Sequence, residues 1–263
     1  MRMNTGARLT TLTRLGFAVR GALYIVIALL ILRTGRAEDP AGALAYLGEG
    51  GGRLLLGLMA AGLLGYGIWR LADAVLNIER HGSDRKGALE RIGAAASGAV
   101  HLFLTWQAAQ LIQGVARAGD GTEQGARTAL ALPGGGALVM LGGALLAAVG
   151  VAQLAKAAKG SFLRYLDPAV ASKRWARWSG RAGYAARGAV FLISAWFLVR
   201  AGFEARASAA AGMAEVLAWL ERPFDMVVAS GLLAFGLFGL IEARFRRLHD
   251  VPVDGLMRRA TAR

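Results

Sequence analysis

The chain has no cysteine, and this alone excludes disulfides, thiolate metal sites and a cysteine nucleophile. It has three histidines, of which only His101 falls in a long apolar run. His81 and His249 lie between or beyond such runs, so a bis-histidine haem site within a membrane is not expected. The chain contains no His-Glu-x-x-His, no nucleophile elbow and no carboxylate pair inside an apolar run. Gly134-Gly135-Gly136 follows no strand signal and precedes no Gly-Lys-Ser/Thr, so it does not read as a phosphate loop. These absences put an enzyme behind other classes, and neither a cofactor nor a metal is expected. Charged residues are scarce too, at 18% of the chain against the roughly 25% of a soluble domain.

What is present is apolar. Fifty-six per cent of the 263 residues are hydrophobic, gathered into six runs at about 15–32, 54–76, 92–115, 137–155, 183–199 and 226–243. Each run is close to the ~20 residues that cross a hydrocarbon core as a helix. They are apolar nearly all round, unlike soluble amphipathic helices, and too rich in Ala, Leu and Gly for strands. The reading is an all-α, polytopic membrane protein with six transmembrane helices in a single membrane domain, 1–263. The first run resembles a signal sequence, but the same pattern recurs internally, so it reads as a retained helix.

The net charge of +14 would suggest nucleic-acid binding, were the basic residues, Arg20 and Arg187 apart, not gathered in and beside the gaps between apolar runs. The N-terminal tail, the second and fourth connections and the C-terminal tail carry 21 Lys or Arg, and the other connections carry 8. The positive-inside rule then puts both termini in the cytoplasm, in the inner (plasma) membrane of a bacterium. The expected partners are membrane lipids, anionic lipid at the cytoplasmic face among them, and a membrane protein, with no nucleic acid.

A two-helix unit recurs three times, at about 12–78, 89–158 and 178–246. Arg14-Leu15-Gly16-Phe17-Ala18-Val19-Arg20-Gly21-Ala22-Leu23-Tyr24 opens the first unit. Arg181-Ala182-Gly183-Tyr184-Ala185-Ala186-Arg187-Gly188-Ala189-Val190-Phe191 opens the third in the same register. The middle unit keeps Arg91, Gly93 and Gly98, but Ser97 and His101 replace the second Arg and the aromatic. In the second span of each unit, Gly65-Tyr66-Gly67-Ile68-Trp69 matches Ala234-Phe235-Gly236-Leu237-Phe238, and Gly150 aligns with Gly67. Asp73, Lys156 and Glu242 then occupy equivalent places. Two spans per unit make the repeats parallel, and a pseudo-threefold bundle is the natural arrangement. The repeated opening, with the Gly-aromatic-Gly element, resembles the bacterial membrane family defined by domain of unknown function 1206. That resemblance covers about 12–245, implies three tandem two-helix units, and carries no activity.

Arg20 and Arg187 lie well inside their spans, where an unpaired charge costs at least ~2.5 kcal/mol. Pairing within each hairpin predicts the ion pairs Arg20–Asp73 and Arg187–Glu242. Such pairs staple hairpins; a ring of charge around an entrance is the functional alternative. Ser97, His101 and Thr105 share one face of the third span and form a candidate intramembrane polar site, with one interhelical hydrogen bond as the plainer role for His101. Gly57, Ala61 and Gly65 read as a packing ridge, and Trp69, Trp175, Trp178 and Trp219 as interfacial belts. The segments 43–47 and 215–220 read as amphipathic pieces on the outer surface. A membrane scaffold or accessory subunit is the first functional expectation, and a small-solute or lipid-like transporter using the bundle axis is the second.

Overall fold

The computed structural model describes residues 5–247 apart from 36, 80, 83 and 115–120. Arg2, Arg36, Arg80, Arg117, His249, Arg258, Arg259 and Arg263, and the expected end of the third span at Val115, lie outside the described residues. The helices are α1 (Thr5–Thr34), α2 (Pro40–Leu76), α3 (Arg85–Gln113), α4 (Gly121–Leu130), α5 (Gly135–Lys159), α6 (Pro168–Ala171), α7 (Arg174–Phe203), α8 (Met213–Trp219) and α9 (Phe224–Phe245). Their ends follow local chemistry. Asp39 and Asp84 cap α2 and α3 by accepting from the amides of Gly42 and Gly87 at 2.7 and 2.9 Å. Gly114 and Gly160 end α3 and α5 in left-handed conformation, at φ 70° and 65°.

Among the described residues, five helices are long and apolar enough to cross a membrane: α1, α2, α5, α7 and α9. The third expected span, α3, is the exception. Its 29 residues give about 44 Å of length, but Ser97, His101, Thr105 and three glutamines dilute its apolar character.

The closest helix contacts run between repeats. The second helix of each unit packs on the first helix of the next: α2 on α3, α5 on α7, and α9 back on α1. Two glycines meet at each contact. A Cβ on Gly21 would sit 2.7 Å from the carbonyl oxygen of Gly236, one on Gly98 3.0 Å from that of Gly67, and one on Gly188 3.1 Å from that of Gly150. Only glycine allows that approach. The three contacts thus share one register, a pseudo-threefold arrangement of the repeats. Within units, α1 packs on α2 and α7 on α9, but α3 and α5 do not pack on each other. The ring has one open seam.

Its axis is filled. Ile27, Leu63, Val190 and Leu232 come from α1, α2, α7 and α9, are fully buried and share one apolar cluster with Leu104 of α3. The segments expected on the outer surface belong to that cluster too. Ala43 and Leu44 are fully buried, as are Val216 and Leu217 of α8. The first of these segments is continuous with α2. Gly48 lies against Leu56, eight residues on, which a straight helix would hold about 12 Å away. The helix therefore bends sharply beside Gly50-Gly51-Gly52 and folds its start over the core. The expected ridge is also displaced: Gly57 faces open space, while Gly62 meets Leu15 and Val19.

Candidate functional site: a buried ionic network at the basic end

Both ends of the bundle's chain meet at one pole. Arg14 donates to the carbonyls of Ala243 and Arg244 at 2.9 and 2.6 Å, so the start of the apolar span of α1 touches the end of α9. The connections after α2 and α5 lie at this same pole. Asp167 donates its amide to the Phe245 carbonyl at 3.0 Å, and Arg247 donates to that of Tyr165 at 2.8 Å.

The turn after α2 aims its side chains back into the protein. Asn77 ends the helix at φ 54°; its side chain accepts from the His81 amide at 2.8 Å and donates to the His81 carbonyl at 3.0 Å. This clamp turns Glu79 and His81 toward Asp73. Asp73, fully buried, accepts from the Glu79 amide at 2.7 Å and faces His81 Nε2 at 2.9 Å, with Arg70 at 3.5 Å.

From there a chain of charges crosses all three repeats. Glu79 binds Arg246, Arg246 binds Glu242, and Glu242 binds Arg20 at 2.5 Å. Arg20 donates to the Tyr66 hydroxyl at 2.8 Å. In the other direction, His81 Nδ1 lies 2.8 Å from Glu90, which accepts from Arg164 at 2.8 Å. Phe17, Trp69 and Tyr165 stack around Arg246 at 4.3 to 5.5 Å. Four arginines thus balance four carboxylates around one histidine. Each ring nitrogen of His81 thus faces a carboxylate, Asp73 on one side and Glu90 on the other. Burial pushes the Glu90 carboxyl up, but the bonds from Arg164 and His81 outweigh it and hold the group below its usual range. Burial pushes the Tyr165 hydroxyl up.

Asp73, Glu79 and His81 place one ligand atom each within 4.8 Å of one another. Those atoms already serve Arg70, Arg246, Glu90's partner imidazole and a backbone amide, and two adjacent guanidinium groups oppose a second cation. The cluster fits a neutralised structural network rather than a metal centre.

The geometry corrects the expected pairs. Arg20 pairs with Glu242 of the third repeat, not with Asp73 of its own. Arg187 does not pair with Glu242. Its guanidinium lies over Tyr24, Phe191 and Phe235 at 5.3, 4.9 and 4.7 Å. Among the described residues it has no ion pair, and its buried Nε has no hydrogen-bond partner. The reason is the order of packing: Glu242, six residues after its even-helix glycine, reaches the arginine of the repeat packed against it, Arg20, and not Arg187 of its own. Ser97, His101 and Thr105 do share a face, but their bonds stay within α3. His101 Nδ1 donates to the Ser97 carbonyl at 2.7 Å, and the Thr105 hydroxyl donates to that of His101 at 2.8 Å. The His101 ring lies 4.4 Å from that of Tyr66. Trp69 is buried against Phe17, not at a membrane interface, whereas Trp175, Trp178 and Trp219 are exposed.

A sequence family described as Domain of Unknown Function (DUF1206) matches three times, over residues 15–77, 92–160 and 182–246. The chain belongs to this family. The matches fall on the same three two-helix units whose glycines meet in the ring. A relative, the uncharacterised protein YxxB of Bacillus subtilis (strain 168), is 29% identical over 248 residues, covering 89% of this chain and 90% of its own. No solved structure matches. Glu79, His81, Glu90, Arg164 and Arg246 all lie in or beside the connections between units, where residue-by-residue repeat comparison gave no signal. Arg20 with Glu242 was readable, had the repeats been paired cyclically.

Proposed function

We propose that this DUF1206 protein is a scaffold or accessory subunit of the bacterial plasma membrane, crossing it six times with both termini cytoplasmic. The observation that supports the reading is the apolar packing along the axis: Ile27, Leu63, Val190 and Leu232 are fully buried in one cluster, which Leu44 and Val216 join. A solute pathway needs polar groups along a wet axis. The ionic network sits at one pole instead and ties the repeats into one rigid base. The basic pole is the cytoplasmic one by the positive-inside rule. Parity supports α3 as the sixth span. The start of the apolar span of α1 touches the end of α9, so the chain between them crosses an even number of times.

Crosslinking and co-purification from native membranes test the role. A stoichiometric membrane-protein partner is the expected result. Solute uptake by the purified chain in vesicles, with no partner recovered, overturns it in favour of transport.

A further inference from the structure

The three glycine contacts set a common register, and the middle repeat departs from it in two linked ways. One residue before the odd-helix glycine stand Arg20, Ser97 and Arg187; six after the even-helix glycine stand Glu242, Asp73 and Lys156. Arg20 meets Glu242 at 2.5 Å. Asp73 faces Ser97's place and is taken up by Arg70 and His81. At the third contact, α5 against α7, the same register sets Lys156 beside Arg187. Two cations occupy the place of an ion pair. Neither has an ion pair or hydrogen bond among the described residues, and the nearby Gln153 carries a buried side-chain oxygen without a partner. The charges of Arg70 and Arg187 both act on Lys156; so do those of Glu90 and Glu242, but those acids are already held by arginines.

The second departure is the open seam. Five residues before the odd-helix glycine lie Gly16, Gly93 and Gly183. Tyr66 packs onto Gly16 and Phe235 onto Gly183, whereas Gly93 has nothing within 4 Å of where a Cβ would be. The α5 counterpart of those aromatics is Val149, exposed at 41%. The counterpart of Gly62 and Gly231, which let α1 and α7 come close, is Leu145, exposed at 61%. Leu138, Leu145, Val149 and Lys156 follow one stripe of α5, at steps of seven, four and seven residues. That stripe is about 27 Å of apolar surface ending on a cation.

We propose that the seam between α3 and α5 binds an anionic phospholipid, its phosphate between Lys156 and Arg187 and an acyl chain along Val149 and Leu145. The two missing carboxylates call for an anion, and the apolar stripe on a membrane-spanning helix calls for a chain attached to it. The proposal rests on α3 and α5 both lying in the bilayer; it does not require a protein partner.

Native mass spectrometry of the full chain in detergent, titrated with phosphatidylglycerol, phosphatidylcholine or inorganic phosphate, tests it. Phosphatidylglycerol binds in preference to phosphatidylcholine. Lys156→Glu, which recreates the Arg20–Glu242 pattern with Arg187, weakens that binding about tenfold or more. Val149→Trp fills the seam without changing charge and weakens it as well, which keeps the test open should Lys156→Glu fail to fold. Equal binding of the two lipids, full competition by millimolar inorganic phosphate, or wild-type binding in either variant overturns the proposal. Lipid binding without any co-purified protein leaves this site standing and removes the scaffold reading alone.

Discussion

Glu242 is the residue on which the base of the bundle turns. It is almost fully buried and holds two arginines, Arg20 and Arg246, that are themselves under a tenth exposed. Removing one partner of a buried pair leaves an uncompensated charge and costs about 3–5 kcal/mol, whereas replacing a whole pair by apolar groups is often neutral. Glu242→Ala is therefore expected to lower stability by about that amount, read as a fall in thermal midpoint in detergent. Arg20→Met combined with Glu242→Leu should recover part of it, leaving Arg246 with Glu79. A harmless single variant would mean that the network is ornamental. Glu90 supplies a pH signature at the exposed edge of the same network. Its carboxyl is held below the usual range, so the unfolded chain binds its proton more readily. The stabilisation is complete above the ordinary carboxylate range near pH 4.3 and is lost as pH falls through the lower folded value. Glu90→Gln should flatten the thermal midpoint against pH in that acid window and leave its slope near neutrality unchanged. The chemistry of these pairs was legible, since a buried arginine demands an acid. Their assignment was not. Repeat-internal and repeat-to-repeat pairing use the same residues, and only the packing order of the helices separates Arg20–Glu242 from Arg20–Asp73.

At the level of helices, glycine position decides which neighbours approach. Gly21 and Gly236 sit backbone to backbone, with a Cβ on either only 2.7 Å from the other's carbonyl oxygen. No rotamer change relieves a clash with backbone. Gly21→Leu should push α1 off α9, cost about 1–3 kcal/mol, and loosen Arg20 from Glu242 as a consequence. Gly93 makes the internal control, because it occupies a repeat-equivalent helical position that faces open space. Gly93→Ala is expected to be neutral or to stabilise by about 0.5–1 kcal/mol through helix propensity. Thermal unfolding of both variants, side by side, checks the contrast; equal losses would remove the glycine contacts as the organising feature. Five of the six expected spans were readable in the residues because apolar length is a local property. The infolding of 40–48 and of α8 was not. Ala43, Leu44, Val216 and Leu217 look like one face of a surface helix, and only the sharp bend after Gly48 shows that the face is turned inward.

The whole molecule poses a question of parity that no single helix answers. Among the described residues five helices pass on length and apolarity, and α3 falls short because it carries Ser97, His101 and Thr105 together with Gln107, Gln110 and Gln113. A helix judged alone is charged for polar groups as if lipid surrounded it. In the bundle, His101 rests on Tyr66 and bonds within its own helix, and Ser97, His101 and Thr105 are all half-buried, so the cost of those groups is reduced. At one end, Arg91 donates to the carbonyls of Ala74 and Val75 beside the ionic network. At the other, Leu111 and Ile112 reach the apolar cluster that contains Leu44 and Val216. The helix runs from the basic pole to the opposite pole, alongside α2, which does pass as a span. If α3 crosses, its ends lie on opposite sides of the membrane. The absence of cysteine makes this directly measurable, since each introduced thiol is the sole target. Arg85→Cys should react with an impermeant maleimide only in inverted vesicles, and Gln113→Cys only in right-side-out ones. Arg247→Cys should follow Arg85→Cys. Labelling of Arg85→Cys and Gln113→Cys from the same side would leave five crossings, and would then require the contact of Arg14 with Ala243 and Arg244 to break, because the two ends of the chain could no longer share a pole.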